Sequence, residues 1–103
     1  MSSSEILFRG KARNLKDSVI GRFLDELSVL LQETDLDWLK VACEGWQEDW
    51  KTMPPGCKDI DLDEVITSEK FRLAFDKKIR EVQDIVTEES IKNELERVLE
   101  LIM

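Results

Sequence analysis

The chain has no histidine, two cysteines, two prolines and four glycines among its 103 residues, and each scarcity removes a class of chemistry. Without imidazole there is no Ser-His-Asp or Cys-His arrangement, and the side chain most often used as a general base at neutral pH is missing. Cys43 and Cys57 are too few for a structural zinc site, which takes four thiolate or imidazole ligands. As free thiols they suit a reducing compartment. No apolar run approaches the roughly 20 residues of a membrane helix, and the opening MSSSEILFRG has neither the apolar core nor the cleavage pattern of a signal peptide. The expected address is cytoplasmic, with no membrane partner.

What is present is a chain 42% hydrophobic and 37% charged, with a net charge of −8. That is too apolar for disorder, and the length suits one domain with a core of its own, without metal, disulfide or cofactor. The charge is uneven. Residues 1–22 hold five basic and two acidic side chains, residues 23–66 three and twelve, and residues 67–103 seven and nine. Such an acidic middle repels nucleic-acid backbones and attracts basic proteins.

Four stretches carry helical periodicity. The first, from Asn14 to about Glu33, has a broad apolar stripe from Leu15 through Val19, Phe23 and Leu27 to Leu31, wide enough for two neighbours. The second, Thr34 to Lys51, holds all three tryptophans. Leu36, Leu39, Ala42, Cys43, Trp46 and Trp50 share one arc with Trp38 at its edge, an arrangement that suits core packing. Thr34 and Asp37 fit the S/T-x-x-D/E helix start. Opposite the tryptophans, Asp37, Glu44 and Glu48 form an acidic stripe with Val41 beside them. Gly45 costs about 1 kcal/mol relative to alanine in a helix interior, which points to a close neighbour or to a locally weak helix. With only Thr34 and Asp35 between them, these two helices are expected to form an antiparallel hairpin over residues 14–51.

Pro54-Pro55-Gly56 is the strong break, with the order of a type II turn. It leads into DIDLDEV, which opens like an EF-hand calcium loop with Asp59, Asp61 and Asp63 at positions one, three and five. The sixth position is Glu64 where glycine is needed, and the twelfth is Lys70 where a bidentate glutamate belongs. The run therefore does not make a calcium site, and a short helix Leu62–Ile66 with acids in its first turn is expected. No phosphate-cradling glycine loop accompanies the acids either.

Thr67 or Ser68 starts a third helix to about Val86. Lys78 stands in its apolar stripe of Phe71, Ala74, Phe75, Ile79, Val82, Ile85 and Val86, either carrying its ammonium past the core edge or pairing with a carboxylate. Thr87 is the expected cap of a last helix, Glu88 to Met103. The fold expectation is all-α: one domain of four main helices with a short fifth at Leu62, bundle-like. Residues 1–13 are expected to be a mobile N-terminal arm and residues 14–103 the helical domain.

A small acidic domain of this kind suits a protein that works by binding another protein. The expected surface comprises Asp37, Glu44, Glu48, Asp59, Asp61, Asp63 and Glu64. The leading expectation is a stoichiometric inhibitor of the immunity-protein or antitoxin type, covering the basic active site of a partner such as a nuclease without touching nucleic acid itself. The alternative is an adaptor or assembly subunit that forms a homodimer, or joins a complex, through exposed apolar surface at Val41 and Leu73. An enzyme built on paired carboxylates would need them converging in a cleft, and the expectation is a protein that is not an enzyme.

Overall fold

The computed structural model of the chain describes residues 2–103. Its elements are β1 (Ser3–Phe8), β2 (Lys11–Lys16), α1 (Asp17–Leu31), α2 (Asp37–Thr52), β3 (Ile60–Asp61), a 3-10 turn Leu62–Glu64, α3 (Glu69–Ile85) and α4 (Glu89–Ile102). The all-α expectation is therefore corrected: a three-stranded mixed sheet of order β2-β1-β3 stands beside the four helices.

The sheet draws two of its strands from residues 3–16, where a mobile arm is expected over residues 1–13. Its first strand alternates, with Ser4, Ile6 and Phe8 turned inward and buried, the period-two pattern of a strand with one covered face. Arg9 and Gly10 then take φ of 49° and 78°, both positive as a two-residue type I′ turn requires. Phe8 consequently faces Lys11, and the antiparallel ladder runs back to Ser3 opposite Lys16. Only Leu15 of β2 is buried, so this strand reads as a solvated basic tail until its partner is known. Asn14 lies opposite Glu5 in that ladder, and α1 begins at Asp17, three residues beyond the expected start at Asn14.

Helices α1 and α2 run antiparallel, joined by Gln32–Leu36. The Thr34 hydroxyl donates to the Leu31 carbonyl at 3.2 Å and so closes α1, whereas the N-cap of α2 is Leu36, which makes no side-chain cap bond. At α3 the cap is Ser68, whose Oγ accepts from the Phe71 N–H at 3.3 Å. Glu88, not Thr87, precedes α4, and it too makes no side-chain cap bond.

The core lies where the four helices meet the sheet. Leu27, Leu39, Ile79, Val82, Leu95, Leu99 and Ile102 are fully buried there. Phe75 makes T-shaped contacts with Phe23 and Trp46, with ring centroids at 6.3 and 6.2 Å, while Trp38 stacks on Phe71 at 4.1 Å. All three tryptophans are half-buried against this core. Lys78 lies 2.7 Å from Glu81, one turn on, its side chain 12% exposed. The ammonium is thus matched by a carboxylate of its own helix.

Candidate functional site

The acids of the DIDLDE run are bound up with the sheet edge. β3 pairs with β1 in parallel over two positions only, Ile6 with Ile60 and Leu7 with Asp61, which leaves N–H groups of β1 unpaired on either side. Asp59 accepts the Glu5 N–H at 2.7 Å, and Asp63 accepts the Arg9 N–H at 3.0 and 3.1 Å. Asp63 thereby holds the one non-glycine residue with positive φ among those described, a conformation that L-residues resist. Asp61 accepts the Asp63 N–H at 3.0 Å and opens the 3-10 turn. Between them Ile60 and Leu62 are buried. The alternation is a strand pattern, and the expected helix Leu62–Ile66 shrinks to the single turn Leu62–Glu64.

A second carboxylate does similar work inside. Asp17, at the start of α1, is 8% exposed. Its Oδ1 accepts from the Ser4 hydroxyl at 2.6 Å and its Oδ2 from the Gly56 N–H at 3.0 Å, while Ser4 Oγ in turn accepts the Lys58 N–H at 2.9 Å. The Trp50 indole N–H donates to the Asp17 carbonyl at 2.9 Å. Lys58 Nζ donates to the carbonyls of Trp50 and Met53 and lies 4.6 Å from the Trp50 ring centroid. This latch joins β1, the start of α1, the end of α2 and the proline turn. The turn itself is type II, with the Cys57 N–H donating to the Pro54 carbonyl at 3.0 Å and Gly56 at φ 82°. Gly21 is required beside it, because a Cβ there would lie 2.8 Å from the Trp50 ring.

The outer face of α2 is different in kind. Asp37, Val41, Glu44 and Glu48 fall within about 60° of helix surface at 100° per residue, and all four are exposed. Asp37 lies 3.7 Å from Lys40 with its side chain 90% exposed. Among the described residues the side chains of Glu44 and Glu48 make no ion pair or hydrogen bond, and the same holds for Glu64. Val41 is 69% exposed, and a Cβ on Gly45 would meet nothing within 4 Å. The seven acids expected to form one surface thus divide by role: Asp59, Asp61 and Asp63 accept backbone N–H groups of the sheet edge, its turn and the 3-10 turn, Asp37 pairs with Lys40, and Glu44, Glu48 and Glu64 have no side-chain partner among the described residues.

On the other side of α2, a groove of about 600 Å³ runs between α1 and α2, floored by Gly21, Leu24 and Trp50 and edged by Asp25, Gln47 and Lys51. Below the helix pair Cys43 is buried and donates to the Leu24 carbonyl at 3.7 Å. Burial, reinforced by the charges of Glu44 and Asp25, pushes its thiol up to about 11. Cys57 is exposed and also free. Among the described residues no group of three or more acids or cysteines could hold a metal ion, and no helix is long and apolar enough to cross a membrane.

The fold class is a mostly helical α+β domain with a small mixed sheet, and the surface that stands apart is the acidic outer face of α2. Comparison with protein-family models, with curated proteins and with solved structures finds no match to this chain.

Proposed function

We propose that this chain is a protein-binding domain whose α2 outer face takes up a basic surface of a partner protein. The observation that carries this reading is the stripe Asp37-Val41-Glu44-Glu48, exposed and, among the described residues, without hydrogen bonds to its two glutamate carboxylates, on a chain of net charge −8. An exposed apolar side chain beside a stripe of like charge suits a specific protein contact, the apolar group giving affinity and the charges giving orientation and speed of encounter. Asp59, Asp61, Asp63 and Glu64 add to the field, with the first three also serving the sheet edge. Inhibition in the manner of an immunity protein or antitoxin is the role such a face suits, since covering a nuclease's basic active site needs contact and no chemistry. A cytoplasmic address, consistent with two free thiols, belongs to the same reading.

A second reading, an assembly subunit that associates with its own kind, is favoured by one further observation: Leu73 on α3 is 56% exposed. The test is capture from the source cell's lysate by the unaltered chain and by Glu44→Lys/Glu48→Lys, at low and high salt. Retention of a basic protein that salt and charge reversal both release supports the α2 face as the binding surface. Identical capture by both chains, indifferent to salt, overturns it.

A further inference from the structure

The outer face of α3 carries the complement of the α2 stripe. Lys70, Leu73 and Lys77 fall within about 60° of helix surface at 100° per residue, all three exposed. Neither lysine takes part in an ion pair or side-chain hydrogen bond among the described residues, whereas Arg72 and Arg80 are held by Glu69 and Asp76. The two stripes mirror each other in spacing. On α2 an acid stands four residues before Val41 and another three after it; on α3 a lysine stands three residues before Leu73 and another four after it.

Laid antiparallel with Val41 against Leu73, the helices bring Asp37 to Lys77 and Glu44 to Lys70, because equal residue offsets give equal rises along two α-helices. In that register Glu48 reaches past the first turn of α3, where the unpaired N–H groups and the helix dipole favour a carboxylate. Gly45 then acquires a reason. A Cβ on this helix-interior glycine would meet nothing within 4 Å among the described residues, and at a helix crossing the missing side chain lets the axes approach.

We infer that the partner of the α2 face is a second copy of this chain, presenting the Lys70-Leu73-Lys77 face of its α3 in antiparallel register. This rests on the reading that α2's outer face is a binding surface and names what it binds. A single helix-on-helix contact of this kind is small, so the association is weak and concentration-dependent, and salt loosens it because the pairs lie at the rim.

The test is sedimentation equilibrium from about 10 μM to about 1 mM chain, at low and at high salt, a range that spans weak self-association. Three variants are compared with the unaltered chain: Asp37→Lys/Glu44→Lys, which reverses the two acids that meet lysines in this register, Lys70→Glu/Lys77→Glu, and the two sets combined. Circular dichroism melting of each shows that it remains folded. The expected result is association of the unaltered chain at low salt, weakened about tenfold or more by either reversal alone. Association returns when the two reversed chains are mixed, and in the combined variant, because attraction is then restored across the same register. Gly45→Ala is expected to raise the melting temperature and weaken association together, a pair of effects that a merely weak helix would not give.

A chain that stays monomeric to about 1 mM at low salt, or an association indifferent to either reversal, overturns the inference. So does failure of the mixed and combined variants to restore what each reversal removes. A monomeric chain that still releases a captured basic protein on Glu44→Lys/Glu48→Lys overturns the second copy alone and leaves the α2 face as a surface for another protein. Neither self-association nor capture responding to that variant overturns both.

Discussion

The carboxylates around β1 and those on the outer face of α2 are the same functional group put to opposite uses. Asp17, Asp59 and Asp63 each accept a backbone N–H that the short sheet or the proline turn leaves over. The carboxylates of Glu44 and Glu48 accept nothing from the described residues. A charge that satisfies backbone groups is part of the fold, and its removal leaves a donor unpaired; a charge with no internal partner costs the fold little and remains available to something outside. The same contrast separates the two helical glycines. Gly21 is filled by Trp50 and Gly45 by nothing.

The largest effect in this comparison is expected from Asp17→Ala. It strips the Ser4 hydroxyl and the Gly56 N–H of their acceptor in a nearly closed site, and urea unfolding should show a loss of about 2–4 kcal/mol. A loss under about 0.5 kcal/mol, the range of ordinary surface changes, would mean that the latch contributes no more than the α2 face.

The glycines should move stability in opposite directions. Gly21→Ala forces the Trp50 ring off its seat and strains the indole bond to the Asp17 carbonyl, at about 1–3 kcal/mol. Gly45→Ala instead stabilises the monomer by about 1 kcal/mol. Melting both variants decides it, and equal signs would break the distinction between the inner and outer faces of the helix pair.

Cysteine chemistry sharpens the same boundary. The Cys43 thiol has its folded pKa raised from the ordinary 9.0 to about 11, so the unfolded chain loses this proton first. Its contribution is fully present below pH 9 and is lost as pH rises toward 11. Stability should therefore fall over that alkaline window, and less steeply in Cys43→Ala. In the native protein at neutral pH a thiol reagent should modify Cys57 quickly and Cys43 only on unfolding; equal rates would show that the α1–α2 interface opens readily. The smallest effect is expected from Glu44→Gln and Glu48→Gln, each within about 0.5 kcal/mol of the unaltered chain in unfolding experiments.

Much of the helical part could be read directly. The apolar stripes of α1, α3 and α4, the Ser68 start of α3 and the type II turn at Pro55-Gly56 follow from local rules of periodicity and turn chemistry. The sheet was missed for a physical reason in each strand. β1 did alternate, and Gly10 stood where a hairpin could turn, but Arg9 is a poor residue for positive φ, so the turn signal was weak. β2 buries only Leu15, and β3 is two residues long. Neither carries enough pattern to be seen without its partner. The alternation of Asp59, Ile60, Asp61, Leu62 and Asp63 was legible as period two, yet its acids suggested a ligand loop and a helix start because the N–H groups that Asp59 and Asp63 satisfy lie 54 residues away in sequence.

By itself, then, the sequence determined what depends on neighbours in the chain: four amphipathic helices, one rigid turn, an acidic middle, and a stripe on α2 whose faces are set by 100° per residue. Only the tertiary structure decided which carboxylates are spent on the fold. Hydrogen bonds between Asp17 and Gly56 or Asp63 and Arg9 are made across the chain, and strand pairing has no periodicity that one strand alone can declare. The same is true of the mirror spacing of α2 and α3. Its residues are plain in the sequence, but that both stripes face outward, with Glu44, Glu48, Lys70 and Lys77 in no ion pair among the described residues, was settled by the packing of everything behind them.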